Sequence, residues 1–299
     1  MNEQPVSITE GLSSRRRAWN GAMRVLLYAA AALICALLVF LIGYILYRGV
    51  PNLSWQFLTS EESVINDIEG ILPSIINTVY VIIATLIFIL PLGVGSAIYL
   101  TEYATNKKLV SVIEFATETL SGMPSIIFAL VGMMVFCQTL GLGTSLMAGA
   151  FALVMMTLPT IIRTTQESLK TVPQSYREGS LALGSGKWHM IRTVVLPSSI
   201  DGIVTGCILA IGRIVGESAV LMFTAGMGMR MANFGGDTIG EFFSNFFGAA
   251  GSTLTVSLYV YAKERADFDE AFAVAVVLLV IAFAINLAAK FAGKKLKKN

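Results

Sequence analysis

The chain has 299 residues, of which 55% are hydrophobic and only 13% are charged. Soluble domains carry roughly 25% charged residues, so the composition excludes the two soluble domains of about 150 residues that the length alone would suggest. It indicates instead an all-α membrane protein with several spans. The net charge of +2 gives no reason to expect a nucleic acid partner.

The sequence offers no pattern for a metal or catalytic centre. Cys35, Cys137 and Cys207 lie in separate apolar runs, and His189 is the single histidine. An odd, scattered set of cysteines predicts neither a disulfide framework nor a metal cluster. The nearest approach to a phosphate-binding loop, residues 184–187, lacks the leading glycine and the Ser/Thr that would hold magnesium. We therefore expect no catalytic residue and no metal ligand in this chain.

Charge-free runs predict six membrane-spanning helices, because about 20 apolar residues cross a bilayer. The first run, 25–47, is longer than the 7–15 apolar residues of a signal peptide, so we interpret it as a span that is retained. A 44-residue run, 119–162, must fold back once, and the glycine-rich stretch 138–145 is the predicted turn. The predicted spans are about 25–47, 71–100, 120–138, 146–162, 202–226 and 271–289.

The distribution of basic residues predicts that both termini are cytoplasmic, which requires an even number of spans. The charge-free but polar stretch 242–262 is therefore interpreted as a partly buried external segment. This topology defines a transmembrane domain, 25–289, between an N-terminal cytoplasmic tail, 1–24, and a basic tail, 290–299. Inside the domain it predicts a cytoplasmic docking loop, 163–201, and an external segment, 230–270.

The cytoplasmic loop contains a predicted short helix. Ser175 and Glu178 have the spacing of a capping box that would start it, and Gly184 is placed to end it in the left-handed conformation. A second helical stretch, 187–195, is expected to end at Leu196-Pro197. A surface helix that exposes tyrosine and leucine needs a partner to cover it.

These spacings resemble the cytoplasmic signature of ABC importer permeases, which is Glu-Ala-Ala, three residues, Gly, nine residues, then Ile-x-Leu-Pro. The chain has Glu178-Gly-Ser, then Gly184, then Val194-Val-Leu-Pro, with Gly179 and Ser180 in place of the two alanines. The resemblance implies a coupling helix that docks on a separate ATPase; the alternative is an ordinary solvated loop. The implied docking residues are Tyr176, Arg177, Glu178, Gly179, Ala182, Gly184, Leu196 and Pro197.

Two membrane stretches are similar to the PstA-type permeases of phosphate importers. They are residues 120–130, Leu-Ser-Gly-Met-Pro-Ser-Ile-Ile-Phe-Ala-Leu, and residues 213–219, Arg-Ile-Val-Gly-Glu-Ser-Ala. The resemblance implies the six-helix bundle of a type I ABC importer permease with a cytoplasmic coupling helix. It also implies that the protein forms the phosphate path in a bacterial cell membrane and is not itself an enzyme.

The same resemblance implies the partners. These are a second, related permease subunit, a dimer of ATP-binding subunits that holds ATP and magnesium, an external phosphate-binding protein and the lipid membrane. The chain itself is expected to bind no cofactor, and a homodimer is the alternative assembly. The alternative function is import of another oxyanion, sulfate or molybdate. A gradient-driven anion carrier is a different class, which predicts no docking loop.

The predicted fifth span has one distinctive face. At 100° per residue, six of its residues fall within an arc of about 80°: Gly202, Gly206, Ala210, Arg213, Glu217 and Thr224. Small residues allow helices to approach closely. An arginine at bilayer depth costs roughly 2.5–3.5 kcal/mol and needs a partner, which Glu217 at i+4 would supply.

This arginine has two interpretations. It forms a purely structural ion pair, or its planar guanidinium binds phosphate oxygens during passage while Glu217 limits how tightly the anion is held. The predicted substrate-pathway residues are Arg213, Glu217, Ser218 and Thr224.

Overall fold

The computed structural model describes residues 14–62, 68–229 and 239–298, and every regular element in these ranges is a helix. The chain divides into two units, residues 1–48 and 49–299. The first unit holds most of α1, Ser14–Gly49, whose 36 residues are about 54 Å long and exceed the roughly 30 Å hydrocarbon core. The predicted first span lies within α1, and residues 1–13 of the predicted tail lie outside the described residues.

The second unit is a helical bundle. Its described α-helices, in chain order, are α2 Trp55–Thr59, α3 Leu72–Ile98, α4 Lys107–Ser121, α5 Ser125–Gly132, α6 Leu146–Thr171, α7 Gln174–Ala182, α8 Lys187–Met190, α9 Leu196–Gly216, α10 Ala219–Thr224, α11 Ile239–Gly248, α12 Leu254–Tyr259 and α13 Phe268–Lys298. Wider π turns extend α3, α5 and α12 and join α8 to α9; they are Tyr99–Tyr103, Met133–Thr139, Val260–Glu264 and Ile191–Val195.

The count of spans matches the prediction. Five helices of the described chain are long and apolar enough to cross a membrane: α1, α3 with its π turn, α6, the joined α8–α9 helix and α13. A bent pair, 107–121 and 125–139, turns by 101° at a short break and makes a sixth if counted as one span. The predicted all-α, six-helix class is confirmed.

The predicted third span is wrong at its start. Residues 120–124 do not continue one helix, because α4 ends at Ser121 and α5 begins at Ser125, after Pro124. A proline disfavours the helical conformation of the residue before it, which accounts for a break here. The predicted turn before α6 is confirmed: Gly141 and Gly143 have φ of 69° and 62°, values that glycine adopts without strain.

The predicted docking loop is mostly helical, and the predicted end of its second helical stretch is wrong. The helix α6 continues to Thr171, and residues 187–216 form one uninterrupted helix instead of a stretch that ends at Pro197. A proline lacks the N–H donor and crowds the carbonyl four residues earlier. The π turn Ile191–Val195 directly precedes this site, where its wider spacing accommodates the ring.

The predicted fifth span is not one helix. It breaks at Glu217, whose backbone is extended with φ −86° and ψ 119°. The Glu217 carboxylate accepts a 3.3 Å hydrogen bond from the Val220 N–H at the start of α10. This side chain therefore supplies an acceptor that a continuing helix would have taken from its own backbone.

The stretch 242–262 is partly buried, as predicted, and packs on α3. Ser74 Oγ lies 3.1 Å from Ser252 Oγ and 2.7 Å from Ser257 Oγ, and Asn77 donates to the Ser252 carbonyl at 3.0 Å. Residues 230–238 of the predicted external segment lie outside the described residues. The last helix continues through the predicted basic tail to Lys298, since lysine favours helix.

The helix α6 lies at the centre of the bundle, with α3 on one side and α9 on another. Its residues Leu153 and Met156 are fully buried in the largest hydrophobic cluster, which also contains Ile214 of α9 and Val81 of α3. This packing holds α6 in place, and both parts of the candidate site described next contact α6, one at its end through Leu169 and one along its length through Thr160.

Candidate functional site

The short helix α7 begins earlier than the capping box predicted. Pro173, with φ −58° and ψ 141°, holds the N-cap position, and its carbonyl accepts the Tyr176 N–H at 3.1 Å. Ser175 therefore lies inside the helix, where its hydroxyl does not act as the cap. The fixed φ of proline determines the start of α7 in place of a side-chain cap.

The end of α7 is the one predicted. Gly184 has φ 83°, the Gly184 N–H donates to the Leu181 carbonyl at 2.9 Å, and the Ser185 N–H donates to the Ser180 carbonyl at 3.4 Å. These are the two hydrogen bonds of a Schellman motif. Gly179, in contrast, has open space around it, so its lack of a side chain is not required by packing within this chain.

A buried arginine holds α7 in place. The Arg177 guanidinium donates to Glu102 Oε1 at 2.8 and 3.1 Å, and the two side chains are only 12% and 7% exposed. It also donates to the carbonyls of Leu169 at 2.9 Å and Val172 at 2.6 Å. One side chain therefore joins α7 to the end of α6 and to the π turn that extends α3.

The remaining docking residues divide by exposure. Exposed apolar side chains lie on α7 (Tyr176 and Leu181), at its end (Leu183) and on α8 (Trp188), and Leu183 is 90% exposed. Glu178, Ala182 and Pro197 are also exposed, whereas Leu196 is partly buried. Arg177 was predicted as a docking residue, but its side chain is buried within this chain. Its role is therefore to position the exposed docking residues.

The small-residue face of α9 packs on α6, as predicted. A Cβ on Gly206 would overlap Thr164 Oγ1 and lie 3.0 Å from the Thr164 Cβ, and a Cβ on Gly202 would overlap Ser168 Oγ. Ser168 Oγ also donates to the Ser199 carbonyl at 2.7 Å. The absence of side chains at both glycines is what lets these two helices approach closely.

The predicted ion pair between Arg213 and Glu217 is absent. Among the described residues no acidic side chain lies within salt-bridge distance of Arg213, whose guanidinium donates a long hydrogen bond, 3.4 Å, to Thr160 Oγ1 of α6. The i+4 rule fails because it assumes an unbroken helix, and α9 ends at Gly216. The carboxylate of Glu217 instead serves α10 through Val220.

The other two predicted pathway residues lie in the next helix region. Ser218 is half-buried and its carbonyl accepts the Met222 N–H at 2.9 Å. Thr224 is fully buried, and its hydroxyl donates to the Val220 carbonyl at 2.6 Å. The four predicted residues therefore do not form one stripe, and only Arg213 stays on the α9 face that packs on α6.

Two sets of acidic residues were not found from the sequence. No sequence pattern links Glu102 to its partner Arg177, because the two residues lie 75 positions apart. Carboxylate oxygens of Glu69, Asp267 and Glu270 lie within 4.8 Å of one another, although the sequence predicted no metal ligands. Asp267 caps α13 through the Glu270 N–H, and hydrogen bonding to the Glu270 side chain lowers the pKa of Asp267.

The bundle, the broken span and the anchored helix α7 define the membrane subunit of a type I ABC importer. Solved structures share this fold: a bacterial alginate ABC transporter with TM-score 0.64 and 14% identity, covering 95% of this chain and 99% of that one. The MetNI methionine ABC transporter gives TM-score 0.58 and 18% identity, covering 75% of this chain and 95% of that one.

The chain belongs to the family described as "binding-protein-dependent transport system inner membrane component", which matches residues 89–298. It is 30% identical to the phosphate transport system permease protein PstA 1 of Mycobacterium tuberculosis, over 96% of this chain and 93% of the relative. It is 42% identical to the probable ABC transporter permease protein YqgI of Bacillus subtilis, over 68% of this chain and 69% of that protein.

Proposed function

We propose that the chain is a membrane subunit of an ATP-driven importer of inorganic phosphate and forms part of the path that the anion follows. Support for phosphate comes from relatives named as phosphate transport permeases that align with nearly the whole chain. The proposed partners are a related permease subunit, a dimer of ATP-binding subunits and an external phosphate-binding protein. ATP and magnesium belong to the ATP-binding subunits, and both termini of this chain lie in the cytoplasm of a bacterial cell.

The observation that carries this proposal is the exposed apolar surface on a rigidly anchored α7. Leu183 and Trp188 are 90% and 61% exposed, and burying such side chains against a partner releases roughly 25 cal/mol for each Å² of apolar area. The anchor through Arg177 fixes the direction in which this surface points. A rigid, apolar projection at the end of the bundle is suited to a cleft on a separate subunit.

The anchor also provides a route for coupling. Arg177 contacts the last turn of α6 and the π turn that follows α3, so a displacement of α7 moves the ends of two spans. Closure of the ATP-binding subunits would therefore pull on α3 and α6 together. The chain contributes no covalent chemistry to this cycle, which needs only that two arrangements of the bundle are accessible.

Arg213 is proposed as the side chain that meets phosphate. Its guanidinium has no acidic partner within the described chain and holds only a long contact to Thr160. An unpaired arginine at membrane depth is costly and is well suited to binding two oxygens of one phosphate. Release then depends on movement of α9 relative to α6, since Glu217 does not offset the charge.

The test compares Leu183→Asp with Leu140→Asp in membranes that contain the other subunits. Both leucines are exposed, at 90% and 61%, and they lie beyond opposite ends of α6. We expect Leu183→Asp to abolish ATP-dependent phosphate uptake and co-purification of the ATPase, and Leu140→Asp to leave both within about twofold. Sulfate and molybdate in excess should not compete with labelled phosphate. Loss of uptake in both variants, or competition by either oxyanion, would contradict the proposal.

A further inference from the structure

A groove of about 540 Å³ runs between α9 and α13 and takes no part in the coupling scheme above. The two helices are antiparallel here, because the groove joins the first turns of α9 to the last turns of α13. Its apolar end is lined by Ile208, Phe283 and Leu287. Its mouth is lined by Lys290 and Lys294 of α13 and by Asp201 of α9.

The groove is apolar at one end and charged at the other, as a phospholipid molecule is. The apolar end lies within the stretch of α13 that crosses the membrane, and the two lysines follow one and two turns later. Basic pockets between spans at a membrane surface bind anionic headgroups. Lys290 and Lys294 therefore place two positive charges at the end of the groove where a phosphodiester would lie.

The side chain of Asn286 gives a second, independent observation. It lines the groove between the apolar end and the lysines, and its Oδ1 atom is buried without a hydrogen-bond partner among the described residues. A buried acceptor without a donor costs about 1–3 kcal/mol. A ligand that carries a hydroxyl group next to its phosphodiester would supply that donor.

We propose that this groove is a binding site for an anionic phospholipid with hydroxyl groups in its headgroup, such as phosphatidylglycerol. The phosphodiester lies at Lys290 and Lys294, and an acyl chain lies along Ile208 and Phe283. The headgroup folds back along the groove by one helix turn, so that one of its hydroxyls donates to Asn286 Oδ1. The helices α9 and α13 are in contact at the bottom of the groove, because a Cβ on Gly293 would lie only 2.6 Å from Val204 Cγ2. The site is independent of which anion the importer carries.

Binding is measured on the full-length chain in detergent micelles by native mass spectrometry during titration with phosphatidylglycerol or phosphatidylcholine of the same acyl chains. We expect phosphatidylglycerol to bind at least tenfold more tightly. Each lysine near an anionic headgroup contributes about 1 kcal/mol, so Lys290→Gln/Lys294→Gln should weaken phosphatidylglycerol binding about 30-fold. Thr205→Trp, at an exposed position of the groove wall, should block the acyl chain and weaken both lipids.

Lys295→Gln is the matched control, because Lys295 is exposed on the same helix turn but does not line the groove. It should change the affinity less than twofold. An equal loss in Lys294→Gln and Lys295→Gln would mean general surface attraction and would overturn the proposal. Equal binding of phosphatidylcholine would overturn it too, as would displacement of the lipid by excess inorganic phosphate. None of these readouts depends on transport, so failure here leaves the proposed import function standing.

Discussion

The guanidinium of Arg177 and the carboxylate of Glu102 form a buried ion pair, with Nη2 2.8 Å from Oε1, between a nine-residue helix and the end of a membrane span. The same guanidinium satisfies the Leu169 and Val172 carbonyls at the end of α6. The Leu169 carbonyl also accepts the Val172 N–H at 3.3 Å, and Val172 is the first residue after α6, so both carbonyls lie where a helix no longer supplies its regular donors. One side chain therefore caps α6, fixes α7 and neutralises an acid on α3's extension.

Arg177→Ala should be severely destabilising for this end of the bundle. It leaves the Glu102 carboxylate buried without a counter-charge, which typically costs about 3–5 kcal/mol, and it frees two carbonyls. We expect the variant to insert in the membrane but to lose phosphate uptake and ATPase binding, with a lowered melting temperature in detergent.

Two variants grade this effect. Arg177→Lys keeps the charge but cannot reach all three acceptors at once, so its loss should be intermediate. Glu102→Gln leaves both carbonyl contacts of Arg177 in place and should be milder than Arg177→Ala. If Arg177→Ala melted and transported like the wild type, the anchoring role would be refuted.

The close packing of α9 on α6 gives a second prediction. Gly206→Ala introduces a Cβ into Thr164, and overpacking of this kind costs about 1–3 kcal/mol. We expect a lower melting temperature and reduced uptake. Gly212→Ala is the matched control on the same helix, because open space surrounds that position and alanine is the better helix former by roughly 1 kcal/mol.

The comparison is decisive in both directions. Gly212→Ala should be neutral or slightly stabilising, and Thr164→Ala should partly rescue Gly206→Ala, because it removes the overlapping hydroxyl. Equal behaviour of the two glycine variants would show that the α6–α9 contact is looser than described.

The topology prediction rests on three exposed positions in the second unit. Single cysteines replacing Leu140, Leu183 and Lys295, in a background without Cys35, Cys137 and Cys207, should label from different sides of the membrane. Leu140→Cys should react in intact cells, since the predicted topology places the start of α6 outside the cell. Leu183→Cys and Lys295→Cys should react only after the membrane is opened. Reaction of Leu140→Cys and Lys295→Cys from the same side would contradict the even number of spans.

Much of the architecture could be predicted from the sequence because the membrane imposes simple rules. Charge-free runs located the long helices, and left-handed glycines located both the turn before α6 and the end of α7. Gly202 and Gly206 were recognised as a packing face. These features are local, so each depends on residues within a few turns of one another.

The rest could not be predicted because it depends on distant residues or on a local break. The partner of Arg177 lies 75 positions away, and no spacing rule connects the two. The ion pair of Arg213 with Glu217 was predicted from helical periodicity, which no longer applies once the helix ends at Gly216. The carboxylate that was assigned to Arg213 instead caps the next helix.

Arg213 has no acidic partner among the described residues, and this leads to the last prediction, in which the substrate role and a structural role give opposite results. Arg213→Lys should reduce phosphate uptake by more than about tenfold, because an ammonium keeps the charge but cannot make the bidentate hydrogen bonds of a guanidinium. Arg213→Met should insert and assemble normally yet transport nothing.

Thr160→Val removes only a long hydrogen bond, 3.4 Å, and should change uptake less than twofold. Glu217→Gln keeps the acceptor for the Val220 N–H and does not alter the surroundings of Arg213, so it should transport nearly as well as the wild type. Uptake is compared at matched membrane abundance. If Arg213 were only structural, the apolar Arg213→Met variant would be tolerated or even more stable, because removing a charge from the membrane favours insertion. Normal phosphate uptake by Arg213→Met would therefore refute the substrate role.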